Sequence, residues 1–212
     1  MNFEDEIFKR VEEEYLYYNG IKKLVDKVGV AFEAMPEGLL LEVRAFTGHI
    51  SDAITIKNDS QEDRLDNISS AHHHLRRIEL DCYKTLCVFE FNKIEEFERK
   101  YRFYNLSDVD DGNFVQNLDN LKQEAKEASE KAKSLDLNGN NSKQGQAFDE
   151  LYDAYQDAFN KYCNVTKYID DHRNGASRIA KQHLFFKIAG VAGWVVSIGV
   201  SIAFGIVSCL PK

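Results

Sequence analysis

Histidine, arginine and aspartate gather in two short stretches of this chain, RAFTGHISD from Arg44 to Asp52 and SSAHHHLRRIELD from Ser69 to Asp81. On a helix, His74, Arg77 and Asp81 share one face, because residues three and four apart are neighbours. His73 also faces Arg77, and His72 faces Arg76. Side chains of these types suit anions: a guanidinium forks onto phosphate oxygens and an imidazole donates to them. If the two helices pack together, Arg44, His49, Asp52, His74, Arg77 and Asp81 form a polar seam beside the apolar stripe. Read structurally, the seam is a network in which Asp81 pairs Arg77. Read functionally, it is a pocket for a nucleotide or short oligonucleotide, with Arg44, His49, His73, His74 and Arg77 as the ligand-binding set.

Other chemistries fit less well. A zinc site is disfavoured because adjacent histidines on a helix point different ways and no cysteine has suitable spacing, so no metal is expected. Asp136-x-Asn138-x-Asn140 begins like a calcium loop, but Asn141 replaces the turn glycine and Ala147 the bidentate glutamate. In the second candidate loop, Asp108-x-Asp110, the glycine comes one place early. The spacing R-x4-H occurs twice, Arg44 to His49 and Arg178 to His183, and is similar to that of the all-helical HEPN ribonucleases. Ala45 follows the first Arg where a polar residue is usual, and a basic residue at Arg178 has a simpler explanation given below. Cys82 and Cys87 fall on a helical pattern and read as small core residues. No catalytic residue and no cofactor is expected, so the chain does not read as an enzyme.

The elements that must position these residues are helices. Only two prolines occur in 212 residues, and Glu, Lys, Leu and Ala are frequent. Apolar residues recur at alternating three and four from Phe3 to Phe32, predicting a helix over about 3–34, ended by Pro36-Glu37-Gly38. A second helix is predicted over about 37–57. Ser60-Gln61-Glu62-Asp63 resembles a capping box opening a third, which runs to about Tyr104 and is long enough to suggest a kink. SDVDDGN reads as a loop, 113–135 as a weaker, exposed helix, and LNGNNSKQG as the most flexible place. A fifth helix is predicted over about 145–171, with a break at Asn174-Gly175 before the C-terminal segment. Nothing alternates with period two, so the fold class is all-α: a cytosolic bundle of long helices over 1–183, then a single C-terminal transmembrane helix over 184–210 and a short tail, 211–212.

That span stands out in an acidic chain of net charge −8 and mean hydropathy −0.45. No charged side chain occurs from Ile188 to Leu210. At about 1.5 Å per residue these 23 residues reach roughly 34 Å, enough for a hydrocarbon core of about 30 Å. Arg173, Arg178, Lys181 and Lys187 precede it and only Lys212 follows, which places the large domain in the cytosol of a cell (inner) membrane protein. The N-terminus, MNFEDEIFKRVEEEY, lacks the order of a secretory signal. Ala189, Gly193, Ser197, Ser201 and Gly205 recur every fourth residue, a small-residue stripe on which helices of several copies can pack. The expected partners are therefore membrane lipid and the chain itself.

This architecture resembles the transmembrane effectors of bacterial anti-phage systems: those of cyclic-oligonucleotide signalling, and the Hailong type, whose effector responds to an oligonucleotide made by a partner nucleotidyltransferase. The likeness covers the span and the helical sensor before it and carries over no individual residue. It implies a homo-oligomeric pore or ion channel in antiviral defence, opened or closed by a nucleotide or oligonucleotide on the cytosolic domain. A tail-anchored scaffold that recruits a partner, and a membrane-tethered HEPN-like ribonuclease, are the alternatives.

Overall fold

In this computed structural model the backbone is described for residues 3–55, 60–138 and 146–208, and the side chains for the same residues apart from 138, 146, 186–187 and 189–208. Among the described residues all regular structure is helical: α1 (Phe3–Phe32), α2 (Glu37–Thr55), α3 (Gln61–Tyr101), α4 (Phe114–Asn138) and α5 (Gln146–Ser208), with 3-10 turns at Leu106–Asp108 and Asp110–Gly112. The expected all-α class is the observed one.

The local chemistry explains where helices begin and end. At the end of α1, Glu33 takes a positive φ of 54°, and Pro36 follows. The Pro36 carbonyl then accepts from Leu40 N at 3.1 Å, starting α2. Ser60 caps α3 reciprocally: Asp63 N donates to Ser60 Oγ at 3.2 Å, while Ser60 N donates to Asp63 Oδ2 at 3.1 Å. From there α3 runs for 41 residues and stops at Tyr101, three residues before the predicted end.

Two expectations are overturned. The helix α4 is not an exposed element: Ala125, Ala128 and Ala132 are buried, so its repeated alanines form the contact stripe. Nor does the chain break at Asn174-Gly175, which lies inside the continuous α5. A Cβ at Gly175 would stand 3.2 Å from Val109 Cγ1, so this glycine permits close packing inside a helix and makes no turn.

The chain divides into two compact units, one of Met1–Lys93 with Leu121–Val165, the other of Ile94–Asn120 with Thr166–Lys212. In the first, α3 is the central helix. Its buried Ile68, Ala71, Leu75, Ile78, Cys82 and Leu86 recur at three and four. At one end, Ile7, Ala53 and Ile68 from three helices meet under Phe3, Val11 and Leu65. The second unit is built on aromatic rings. Phe114 is fully buried, edge-on to Phe97 at 6.1 Å and stacked on Tyr168 at 5.5 Å.

The backbone of α5 is helical through Ser208. The predicted span falls largely on side chains outside the description, as does the whole stripe Ala189, Gly193, Ser197, Ser201 and Gly205. Among the described residues no helix is long and apolar enough to cross a membrane.

Candidate functional site

The α2–α3 seam exists, and its centre is a residue the motif reading passed over. His74 Nδ1 donates to Glu42 Oε2 at 2.6 Å, and Arg77 Nε lies 3.4 Å from Glu42 Oε1. His74 stacks on His49 with ring centroids 5.3 Å apart and planes at 19°. His49 Nδ1 in turn lies 3.0 Å from Asn67 Oδ1. The result is a row running Arg77, Glu42, His74, His49, Asn67, in which one carboxylate holds two basic side chains. The expected pairing of Arg77 with Asp81 is thus replaced by pairing with Glu42. The reason is geometric, since Glu42 precedes His49 by seven residues, two helical turns, and so shares its face.

Asp81 lies further along the same stripe of α3, partly buried. Burial raises its pKa above the usual aspartate value; Glu42 and Asp136 add to the rise, and Lys84 and Arg77 oppose it.

Arg44 is not in the seam. Five residues at about 100° each turn it roughly 140° away from His49 around α2, and it is exposed. The same spacing separates exposed Arg178 from His183, whose ring meets Tyr104 edge-on at 5.5 Å. Asp52 is exposed as well.

The His72–His73–His74 triplet is divided between helices, because each successive residue turns by about 100°. His74 goes to α2. His72 goes to α1, with Nδ1 3.0 Å from Glu14 Oε2 and its ring 5.6 Å from that of Tyr17. His73 lies between them, its ring edge-on to His72 at 6.3 Å. Burial lowers the His73 pKa, and neighbouring His72, Arg76 and His74 lower it further. Arg76 reaches α5 instead, pairing with Asp149 and lying over the Phe148 ring at 4.6 Å.

Beyond the seam, Glu79 ties three helices together. It accepts from Tyr17 of α1 at 2.7 Å and from Tyr152 of α5 at 2.8 Å. Both phenols have pKa values pushed well above the usual tyrosine range, by burial first and then by the hydrogen bond to Glu79. Burial likewise pushes the Cys82 and Cys87 thiols up to about 12, which leaves them protonated and unreactive at neutral pH.

Of the two segments weighed for calcium, the first continues into residues 139–145, outside the described residues. Asp136 pairs with Lys84 at 2.9 Å and accepts from Tyr155 at 3.2 Å, while Asp110 accepts from Tyr168 at 3.3 Å and lies 3.6 Å from His172. Among the described residues no group of three or more His, Cys, Asp or Glu is placed to hold a metal ion. A separate cavity of about 350 Å³ lies in the second unit, walled by Phe97, Tyr101, Tyr104 and Phe114, with Arg102 and Asp119 also lining it. None of these residues belongs to a motif visible in the sequence.

The seam can therefore do one of two things. It can hold α2 to α3 through an internal carboxylate, or exchange that carboxylate for the anionic group of a ligand. No known protein family, no curated protein and no solved structure matches this chain.

Proposed function

We propose that the chain is a membrane-anchored, homo-oligomeric effector whose C-terminal helices assemble into a gated pore in the inner membrane, in antiviral defence. A nucleotide or short oligonucleotide at the α2–α3 seam controls it. In this reading residues 184–210 cross the bilayer and pack along Ala189, Gly193, Ser197, Ser201 and Gly205, with the large domain in the cytoplasm. The observation that carries it is the continuity of α5. The helix that buries Phe148, Tyr155, Phe159 and Tyr162 also carries the segment without charge, in one run from Gln146 to Ser208. The ligand's anionic group takes over Arg77 and His74 from Glu42, which makes Glu42 an internal competitor.

The test is ion leakage from liposomes containing the full chain, with and without oligonucleotide. Leakage is expected to depend on the ligand and to disappear in Gly193→Leu/Gly205→Leu. Glu42→Gln removes the competitor and is expected to lower the required ligand concentration by about threefold, the scale of a partly exposed ion pair. Arg77→Ala raises it. Liposomes that stay sealed with every oligonucleotide tried, although the chain is inserted, exclude the pore.

A tail-anchored scaffold is the second reading, and a surface feature favours it. Phe8, Tyr15, Leu16 and Val30 are all exposed on α1. Helical spacing gathers them within roughly 100° of arc, away from the buried Ile7, Ile21, Val25 and Val28. Sealed liposomes together with stable capture of a protein through this face would establish that reading.

A further inference from the structure

Charge is distributed unevenly along this acidic chain. At the end of α3, Arg99, Lys100 and Arg102 follow Glu98, and the next acid is Asp108. Along the sequence no acid occurs between Asp171 and Lys212, while Arg173, Arg178, Lys181 and Lys187 do. Large apolar side chains are exposed in the same two places: Phe103 is 76% exposed, Leu184 56%, Phe185 68% and Ile188 60%.

The two places lie at one level along α5. The Tyr104 ring meets that of His183 at 5.5 Å, which brings the end of α3 to the level of His183 on α5. Ile188, the first residue of the stretch without charge, is five residues on, roughly 7.5 Å along the axis. Arg102 lies over the Phe103 ring at 4.5 Å, so the apolar and basic groups form one surface there. Lys181, Leu184, Phe185 and Ile188 fall on one face of α5 at spacings of three, four and seven.

We propose that Arg99 in the last turn of α3 and Arg102 and Phe103 just after it, with Lys181, Leu184 and Phe185 of α5, form a collar that docks on the anionic surface of a bilayer. The rings and leucine enter the headgroup boundary, and the cations meet lipid phosphates. An exposed apolar surface edged by Arg99, Arg102 and Lys181 suits lipid of negative charge. Placed just before a segment that enters that lipid, it needs no other partner. The collar rests on the membrane reading of α5, but it involves a second element, the end of α3, that the reading does not require.

The chain's single tryptophan, Trp194, lies in the uncharged segment, which allows the two claims to be tested separately. The full chain is reconstituted in vesicles of phosphatidylcholine with or without phosphatidylglycerol, using lipids brominated near the headgroup or deep in the chains. In the native chain, deep bromines are expected to quench Trp194. In Phe103→Trp/Trp194→Phe, shallow bromines are expected to quench, more so with phosphatidylglycerol, and Arg102→Glu/Lys181→Glu in that background removes the difference. A control, Phe8→Trp/Trp194→Phe, stays unquenched. Quenching of Trp194 without quenching at position 103 overturns the collar and leaves the span standing. Equal quenching at positions 8 and 103 also overturns it, because lipid contact is then not local. If Trp194 is unquenched while the position-103 reporter is quenched, the span falls and the collar stands as a peripheral dock. If neither is quenched, both fall.

Discussion

The two ends of α3 use positive charge in opposite ways. Over its first seven turns, cations and imidazoles turn to carboxylates of other helices. Arg64 meets Glu4, His72 meets Glu14, His74 meets Glu42, Arg76 meets Asp149 and Lys84 meets Asp136. In the last turn Lys100 lies over Tyr101 at 5.3 Å, and just past it Arg102 lies over Phe103 at 4.5 Å, each on an aromatic face. The first arrangement spends its charge on fixing neighbours. The second keeps it outward, where an external anion can use it. One helix thus carries paired charge along most of its length and outward charge at its end.

The sharpest break in that comparison comes from removing one arginine at each end. Arg64 is only 7% exposed. Its Nε donates to Ala53 O at 2.7 Å, and Nη1 and Nη2 grip Glu4 at 2.7 and 3.1 Å. Arg64→Ala leaves a carbonyl near the end of α2 without its donor and frees α1 at Glu4. A loss of about 2–4 kcal/mol is expected in urea unfolding, below the full cost of stranding a buried charge because Glu4 is half exposed. Arg102→Ala, on the exposed end, is expected to change stability by less than about 0.5 kcal/mol. Similar losses for the two would end the distinction.

A smaller effect is expected at Glu79, which holds α1 and α5 to α3 without any cation. Glu79→Ala leaves the Tyr17 and Tyr152 hydroxyls without their acceptor, a loss of about 2 kcal/mol. Glu79→Gln keeps an acceptor oxygen and is expected to lose about half as much. Equal losses would mean that the carboxylate's charge, more than its hydrogen bonds, holds the three helices.

Much of this was readable before folding, and the failures share a cause. The α1 stripe apart from the exposed Tyr15 and Phe32, the Ser60–Asp63 cap and the common face of His74, Arg77 and Asp81 follow from spacing within one helix, which periodicity reports directly. Glu42 and Asn67 escaped because a lone acid or amide on an amphipathic helix looks like a solvated residue until the packing register supplies its partner. The α4 alanines were misread for a related reason, since alanine carries too weak an apolar signal to mark a buried stripe. Gly175 looked like a break beside Asn174, and only the approach of Val109, distant in sequence, shows why a glycine sits inside a helix. Which residues share a face was legible; which partner each one takes was not.

Asp81 offers the smallest effect and the finest distinction. It lies on the inward-turned part of α3, yet burial and the nearby Glu42 and Asp136 outweigh Lys84 and Arg77, so its folded-state pKa stands above the unfolded value of 3.8. The folded protein therefore binds this proton more tightly than the unfolded chain does. It follows that ionised Asp81 destabilises the fold at neutral pH, and that this penalty is relieved as pH falls through the raised pKa towards 3.8. Asp81→Asn is expected to stabilise the chain by on the order of 0.5 kcal/mol at neutral pH, with the gain fading in acid once both states carry the proton. Thermal unfolding of both proteins across pH measures it. A gain that persists undiminished below 3.8 would point to packing, and a loss at neutral pH would mean that Asp81 is one more carboxylate answering the cations around it.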